Sequence, residues 1–374
     1  MRVTRSLPDA TDIFVVGGGP AGLATAIAAR QRGLQVVVAD GATPPIDKAC
    51  GEGFLPDGVA ALERLGIRIP AEQTWRFRGI RFWSGERKAE AVFPEPSCGF
   101  AIRRTALHRV MLERAEHLGA ELSWDTPVTG VSADGIHMGN HFVRARWIIG
   151  ADGANSRVRR WAGLDRPRPR MRYAFRQHFR VAPWTDFMEV YWSETCQGYA
   201  TGVGHDKVCV ALASRDAGLR LEDGLKSLPA LQARLHGAEI ISRERGALTG
   251  NRQFARLWKR NVALIGDASG TVDAITGEGI GLAFSQAMAL ADCLRSEDLE
   301  TYERKHRKLA LRPKWMARLM LTMDRRPRLQ RRTLKIFERY PEVFQRLVEF
   351  HVGILPSSQL VFHGLALGWE LLTT

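Results

Sequence analysis

Tyrosine and cysteine are both scarce in this sequence, with 5 of each among 374 residues. The cysteines, Cys50, Cys98, Cys196, Cys209 and Cys293, are odd in number and scattered. They form no Cys-x-x-Cys pair and have no histidine at metal-ligand spacing, which excludes a disulfide scaffold and predicts a reduced, cytoplasmic protein with no metal site. Long hydrophobic runs are missing too. No apolar stretch of signal-peptide length precedes the first strand, and none approaches the roughly 18 residues of a membrane span. The expectation is a protein that is at most peripheral to a membrane. Lysine is the last scarcity, at 9 residues against 45 arginines. A five-to-one ratio reads as codon bias, and no nucleic-acid partner is expected from it.

With 45% hydrophobic and 25% charged residues the chain can bury a full core, so disorder and collagen-like repeats are excluded. The net charge of +14 is concentrated: residues 301–346 hold 15 Lys or Arg against 4 Asp or Glu, a local net of +11.

Near the N-terminus Asp12-Ile-Phe-Val-Val predicts a strand, followed by Gly17-Gly-Gly-Pro-Ala-Gly22 and an alanine-rich helix that stops at Gly33. Strand, Gly17-x-Gly19-x-x-Gly22 and helix together predict a dinucleotide fold, with phosphates at the helix N-terminus. A second strand ends at Asp40, which stands where an acid grips a ribose hydroxyl. The pattern does not choose between NAD and FAD.

Much later, the apolar strand Val262 to Ile265 ends at Gly266-Asp267. The glycine-rich turn Thr276-Gly-Glu-Gly279 follows, and then a helix to about Leu294. A carboxylate at a strand end can accept hydrogen bonds from a polyol such as the ribityl chain of a flavin. The positive pole of the later helix would suit the electron-rich edge of the reduced ring.

With Asp47-Lys-Ala-Cys-Gly-Glu-Gly53 and Gly150-Ala-Asp-Gly153 between them, these blocks make the sequence resemble the FAD-dependent oxidoreductases of the para-hydroxybenzoate hydroxylase and geranylgeranyl reductase superfamily. The resemblance implies an α/β fold: a Rossmann-like, glutathione-reductase-type FAD domain over residues 1–72, 101–170 and 251–295. Interleaved with it is an antiparallel β-sheet substrate domain over 73–100 and 171–250, with a helical C-terminal region over 296–374. It implies FAD contacts at Gly17, Gly19, Gly22, Asp40, Gly266, Asp267, Gly277 and Gly279. Arg104 is expected to reach the FAD, with Arg103 as competitor, and Val128 to offer backbone to the adenine. Asp152 either handles FAD and NADPH or caps the helix beginning near Ser156. Cys50 and Glu52 are the catalytic candidates, set against a loop-shaping role, because a similar Cys-Gly-Glu-Gly loop lies by the flavin ring in the reductase branch.

Aromatic residues Trp83, Phe175, Phe179, Tyr191, Trp192 and Tyr199 fall in or near short alternating strands, as pocket lining or as core. The Tyr-x-Trp-x-Phe-Pro element usual in the reductase branch stands here as Tyr199-Ala-Thr-Gly-Val-Gly, and the Trp-x-Trp-x-Ile-Pro element of flavin halogenases is absent. The sequence-level expectation is therefore a monooxygenase that hydroxylates a hydrophobic phenolic or polyketide substrate. With no second nucleotide motif, NAD(P)H is expected as a transient electron donor. The alternatives are a reductase saturating isoprenoid double bonds, and a non-catalytic lipid- or nucleic-acid-binding protein on the same fold. The arginine-rich helices beyond Leu294, with Pro313, Pro327 and Pro341 as breaks, are read either as a cap over the FAD domain or as a peripheral membrane contact.

Overall fold

The computed structural model describes residues 7–165 and 171–355. In chain order, the elements that position the site begin with β1 (Ala10–Val16), α1 (Pro20–Arg30), β2 (Val36–Ala39) and α2 (Pro56–Arg64). Next come β3 (Gly79–Ser84), β4 (Arg87–Val92), α3 (Arg104–His117), β5 (Glu121–Ser123), β6 (His141–Gly150) and α4 (Arg157–Trp161). A run of strands follows: β7 (Arg172–Arg180), β8 (Phe187–Trp192), β9 (Cys196–Gly204), β10 (Lys207–Ser214), β11 (Arg245–Thr249) and β12 (Val262–Leu264). The chain then turns helical, through α5 (Gly279–Arg295), α6 (Leu299–Leu309), α7 (Leu311–Asp324), α8 (Pro327–Arg339) and α9 (Pro341–His351).

The first sheet has the parallel core order β12-β6-β1-β2-β5. Its strands are runs of β-branched and aromatic residues because both faces are covered. Ile13 and Val15 point to the side packed by α1, α3 and α5, while Phe14 and Val16 point to a second cluster with Ile136, Val143 and Val158. The chain leaves this sheet after β2 and again after β6, each time to build the second sheet.

The second sheet runs β7-β10-β9-β8-β3-β4, with β11 on the outer side of β7. One correction applies to its expected antiparallel character: β3 and β8 pair in parallel, Gly79 opposite Phe187 through Ser84 opposite Trp192. The two strands come from different excursions of the chain, so no hairpin dictates their direction.

The C-terminal helices also depart from expectation. Among the described residues α6 lies against α5; α8 and α9 pack on β4, and α7 packs on the turn at residues 274–276. Leu334, Phe337, Phe344 and Val348 join Ile80, Phe82 and Val190 in one buried cluster, so the helical region covers the second sheet rather than capping the first. Pro327 and Pro341 open their helices at positions that need no N–H, and Pro313 sits in the first turn of α7, so none of the three breaks a helix. Among the described residues no helix is long and apolar enough to cross a membrane. The apolar tail from residue 356 lies outside the described residues.

Candidate active site

The turn at residues 17–22 owes its shape to backbone contacts that a side chain would prevent. Gly17 holds φ at 111°. A Cβ on Gly22 would stand 1.9 Å from the Gly17 carbonyl oxygen, so only glycine lets α1 start this close to β1. Gly19 is different: nothing lies within 4 Å of a Cβ placed there, and this side of the turn is open. The turn is held from behind. The Gly18 N–H donates to Asp40 Oδ2 at 2.7 Å, and the buried His108, on α3, places Nε2 2.9 Å from the Gly18 carbonyl oxygen. Burial lowers the His108 pKa, so its neutral ring donates Nε2–H to that carbonyl. At its N-terminus α1 carries neither a side-chain cap nor an acid in its first turn, which leaves backbone N–H groups and the positive pole directed at the opening.

The other motif blocks arrive at the same place. Gly266 packs so closely on α1 that a Cβ would meet that of Ala21 at 2.7 Å, and a Cβ on Gly17 would lie 3.0 Å from the Asp152 Cα. Lys48 Nζ bonds Asp267 Oδ2 at 3.2 Å, tying the loop at residues 47–53 to the end of the first sheet. Helix α5 packs along α1 and also begins without a side-chain cap or an early acid. Its entry is the left-handed Gly277, φ 71°, and neither Gly277 nor Gly279 has an atom within 4 Å of a placed Cβ. Two open glycine turns, two uncapped helix starts and a half-exposed carboxylate converge, and that donor set fits FAD. The first turn would hold the pyrophosphate, Asp267 the ribityl hydroxyls and the start of α5 the electron-rich ring edge. When bound, FAD supplies two-electron hydride chemistry.

Four expected contacts take more particular positions. Asp40 Oδ2 accepts from Gly18 N and braces the turn, while Oδ1 accepts from Ala42 N in its own loop. For Asp152, weighed as cofactor contact or helix cap, the geometry is that of the cap: Oδ2 accepts from Arg157 N at 2.6 Å and Val158 N at 3.1 Å. Val128 is buried in the core behind the first sheet. Arg104 and Arg103 both turn to Glu52, the first through its backbone N–H to Oε1 at 2.9 Å, the second with Nε 3.9 Å from Oε2.

Glu52 is held in a left-handed conformation, φ 62°, that costs a non-glycine residue roughly 1 kcal/mol or more. Its buried carboxylate meets His178 Nε2 at 2.7 Å, on β7. The other ring nitrogen, Nδ1, lies 2.9 Å from Ser242 Oγ and 3.1 Å from an Arg176 nitrogen, and Arg176 in turn holds Asp47. Burial lowers the His178 pKa, leaving a neutral ring. Cys50 is near by: its Sγ accepts from Glu52 N at 3.3 Å, and its carbonyl from Cys209 Sγ at 3.7 Å. Donor atoms of Glu52, His178 and Cys209 lie within 4.8 Å of one another. The two guanidinium groups beside them balance the site's charge and work against an added cation. Arg176 and His178 were missed in the sequence, although their spacing of two in a strand whose other face carries Phe175 and Phe179 marks a polar pair facing inward.

Between the second sheet, the turn at residues 275–277 and the C-terminal helices lies a tightly closed apolar cavity of about 30 Å³. Ile80, Phe82, Met188 and Val190 form its floor, and Met316, Met320, Met323 and Phe344 its roof. Of the aromatic residues singled out in the sequence, Tyr199 alone lines it, and its hydroxyl donates to the Ile275 carbonyl at 3.1 Å. Trp83, Tyr191 and Trp192 border a separate, more open hollow, and Phe175 and Phe179 are core.

Comparison with known proteins agrees with this geometry. Residues 10–220 match the family described as FAD binding domain, and residues 221–328 the family described as tryptophan halogenase. A menaquinone reductase from Mycolicibacterium smegmatis is 30% identical over 320 residues, 78% of each chain. A digeranylgeranylglycerophospholipid reductase from Methanothermobacter thermautotrophicus is 29% identical over 300 residues, 72% of this chain and 73% of that one. Among solved structures, a flavoprotein/dehydrogenase from Cytophaga hutchinsonii superposes with a TM-score of 0.80 at 17% identity, covering 92% of this chain and 93% of its own.

Proposed function

The chain belongs to the FAD binding domain family and is a flavin-dependent oxidoreductase; from that premise we propose that it saturates carbon–carbon double bonds in an isoprenoid chain. This replaces hydroxylation, the favoured expectation from the sequence alone. The observation that carries the choice is the cavity. A phenolic or polyketide substrate needs polar partners to hold and orient its hydroxyls. Apart from one corner at Thr276 and His351, this wall offers methionine, isoleucine, leucine, valine and phenylalanine, and its tyrosine hydroxyl is bonded to backbone. The cavity must widen to admit a long hydrocarbon, and its four methionines suit that, since unbranched thioether chains repack around changing shapes at small cost. The likeness to proteins named as reductases of menaquinone and of digeranylgeranylglycerophospholipid supports the same reading.

NAD(P)H serves as the transient electron donor, and the substrate arrives from a lipid surface. Leu311 and Trp315 lie on the outer face of α7, 65% and 43% exposed, while Met316, Met320 and Met323 of the same helix line the cavity. Exposed Arg318 continues the outer stripe, and Arg328, Arg331 and Arg332 are exposed on α8 beside it. An apolar edge flanked by arginines suits an anionic membrane face.

The test is anaerobic turnover of a polyprenyl quinone by the FAD-loaded protein with a chemical reductant. A product heavier by one hydrogen molecule, with saturation in the chain, is expected. Oxygen consumption matched to a hydroxylated product would return the protein to the hydroxylases.

A further inference from the structure

The cavity has one polar corner, where the last turn of α9 meets the turn at residues 276–279. His351 sets Nε2 3.1 Å from the Thr276 carbonyl oxygen and Nδ1 3.4 Å from Glu278 Oε2. Both side chains are buried, at 6% and 5% exposure, and among the described residues neither Nδ1 nor Oε2 has a hydrogen-bond partner. A carbonyl can only accept, so Nε2 carries the ring hydrogen and Nδ1 of a neutral imidazole is a bare lone pair. A bare lone pair opposite a carboxylate oxygen would be repulsive. Opposite a carboxyl that has kept its hydrogen it is a ready acceptor.

The charges around the pair lead to the same assignment. Asp57 from α2, Arg312 from α7, His351 from α9 and Glu278 itself are the ionisable groups that meet here. Arg312 bonds Asp57 through Nη2, and the same nitrogen lies 3.5 Å from Glu278 Oε1, so one guanidinium faces two carboxyl groups. Asp57 is about a third exposed, so solvent helps it keep its charge, whereas Glu278 is buried and is the acid that keeps its proton. Burial, and then the Asp57 charge, raises the Glu278 pKa well above the usual carboxylate range. Burial and Arg312 bring that of His351 down to about 4.

We infer that Glu278 and His351 hold one transferable proton in the cavity wall, and that His351 passes it to the molecule undergoing reduction there. The identity of that molecule rests on the reductase reading above. Saturating one double bond adds a hydride to one carbon and a proton to the other. The hydride comes from reduced flavin, which is thereby oxidised. The Nε2 hydrogen leaves its bond to the Thr276 carbonyl for the substrate, the Glu278 proton crosses to Nδ1, and the imidazole ends neutral in its other tautomer. Glu278 is left ionised opposite Arg312 until solvent reprotonates it. His351 is the catalytic residue, because it lines the cavity; Glu278 is its reservoir and positioning partner.

Infrared spectroscopy tests the stored proton independently of turnover. At neutral pH the wild-type protein should show a protonated-carboxyl C=O band that Glu278→Gln removes, that His351→Gln shifts in frequency, and that weakens in Asp57→Asn, where Arg312 faces Glu278 alone. A wild-type spectrum without that band overturns the inference. In turnover, Glu278→Gln should lower kcat at least tenfold with KM for the prenyl substrate unchanged and flavin reduction by dithionite normal. It should also abolish the fall in rate at high pH, and Glu278→Asp should restore part of the rate. Flavin absorbance and the melting temperature show whether each variant has folded. Unchanged kcat and pH profile in a folded Glu278→Gln overturns the relay. A wild-type protein that binds FAD but reduces no isoprenoid defeats the reductase reading while the infrared result still decides the stored proton.

Discussion

The two glycine turns of the site look alike in sequence and are held in place differently. The turn at residues 17–22 is fixed largely by its own backbone, with Asp40 and His108 bracing it from neighbouring elements. The turn at residues 276–279 is fixed by side chains that reach it from afar: Asp57 and Arg312 around Glu278, and His351 on the Thr276 carbonyl. The first is a rigid anion socket that needs glycine. The second is a titratable wall that needs particular partners, and it joins the cofactor end of the protein to the cavity where substrate would lie. One region binds and the other meets the chemistry.

The largest expected effect strikes the rigid turn. Gly22→Ala drives a methyl group into the Gly17 carbonyl at 1.9 Å, a backbone clash that nothing flexible can relieve. It should cost about 4 kcal/mol or more and abolish FAD retention, read by urea denaturation and by absorbance of the purified protein. Gly19→Ala sharpens the contrast. With open space around its Cβ, it should melt like the parent yet bind FAD at least tenfold more weakly. Equal melting losses in the two variants would show that the open face of the turn is structural.

The second turn should respond to charge. Arg312→Met leaves the part-exposed Asp57 carboxylate without its cation beside the protonated Glu278 and should cost about 1–2 kcal/mol. Asp57→Asn in the same background should recover part of the loss. Failure to recover would mean that Arg312 acts through packing alone.

How far this contrast could be read beforehand depended on the range of the forces. The strand, turn, helix and acid of the first forty residues lie within one local unit, so steric rules predicted their shape and order. The convergence of the four motif blocks was legible from the resemblance. The polar corner was not. Arg312 lies 34 residues beyond Glu278 and His351 a further 39, on helices whose pattern reads as a generic basic amphipath; only packing on the second sheet brings them to the turn. His178 was obscured similarly, by standing in a strand among aromatic residues that drew attention to its other face. Asp152, read from its motif as either cofactor contact or cap, shows how a local rule resolves half of such a choice: the N–H groups of α4 take its Oδ2, as the capping pattern allowed.

Acid should separate the regions again. His351 in the cavity wall and His306 on α6 have pKa values lowered by burial from 6.5, to about 4 and about 3. Both are neutral in the folded protein. The stability that depends on keeping them neutral is complete above pH 6.5 and is lost as pH falls toward 4, by at most about 3 kcal/mol for His351. His351→Gln should flatten that part of the curve, whereas Gly19→Ala should leave its slope unchanged. The measurement is urea denaturation from pH 7.5 to 4.5.

The smallest effect expected is at the outer face of α7. Its two sides differ by one helical offset: Met316, Met320 and Met323 face the cavity, while Leu311, Trp315 and Arg318 face out. If substrate enters from a lipid surface, the outward stripe is where the protein touches it. Each arginine near an anionic surface adds about 1 kcal/mol and salt screens it, whereas the apolar contact of Trp315 is insensitive to salt. Flotation with phosphatidylglycerol vesicles should therefore show binding that falls severalfold in Trp315→Ala and falls further with salt in both proteins. Turnover of a short, water-dispersed prenyl substrate should be unaffected by the same substitution, because Trp315 lies outside the cavity. Equal loss with short and vesicle-borne substrates would place Trp315 in the cavity's architecture and remove the membrane from the account.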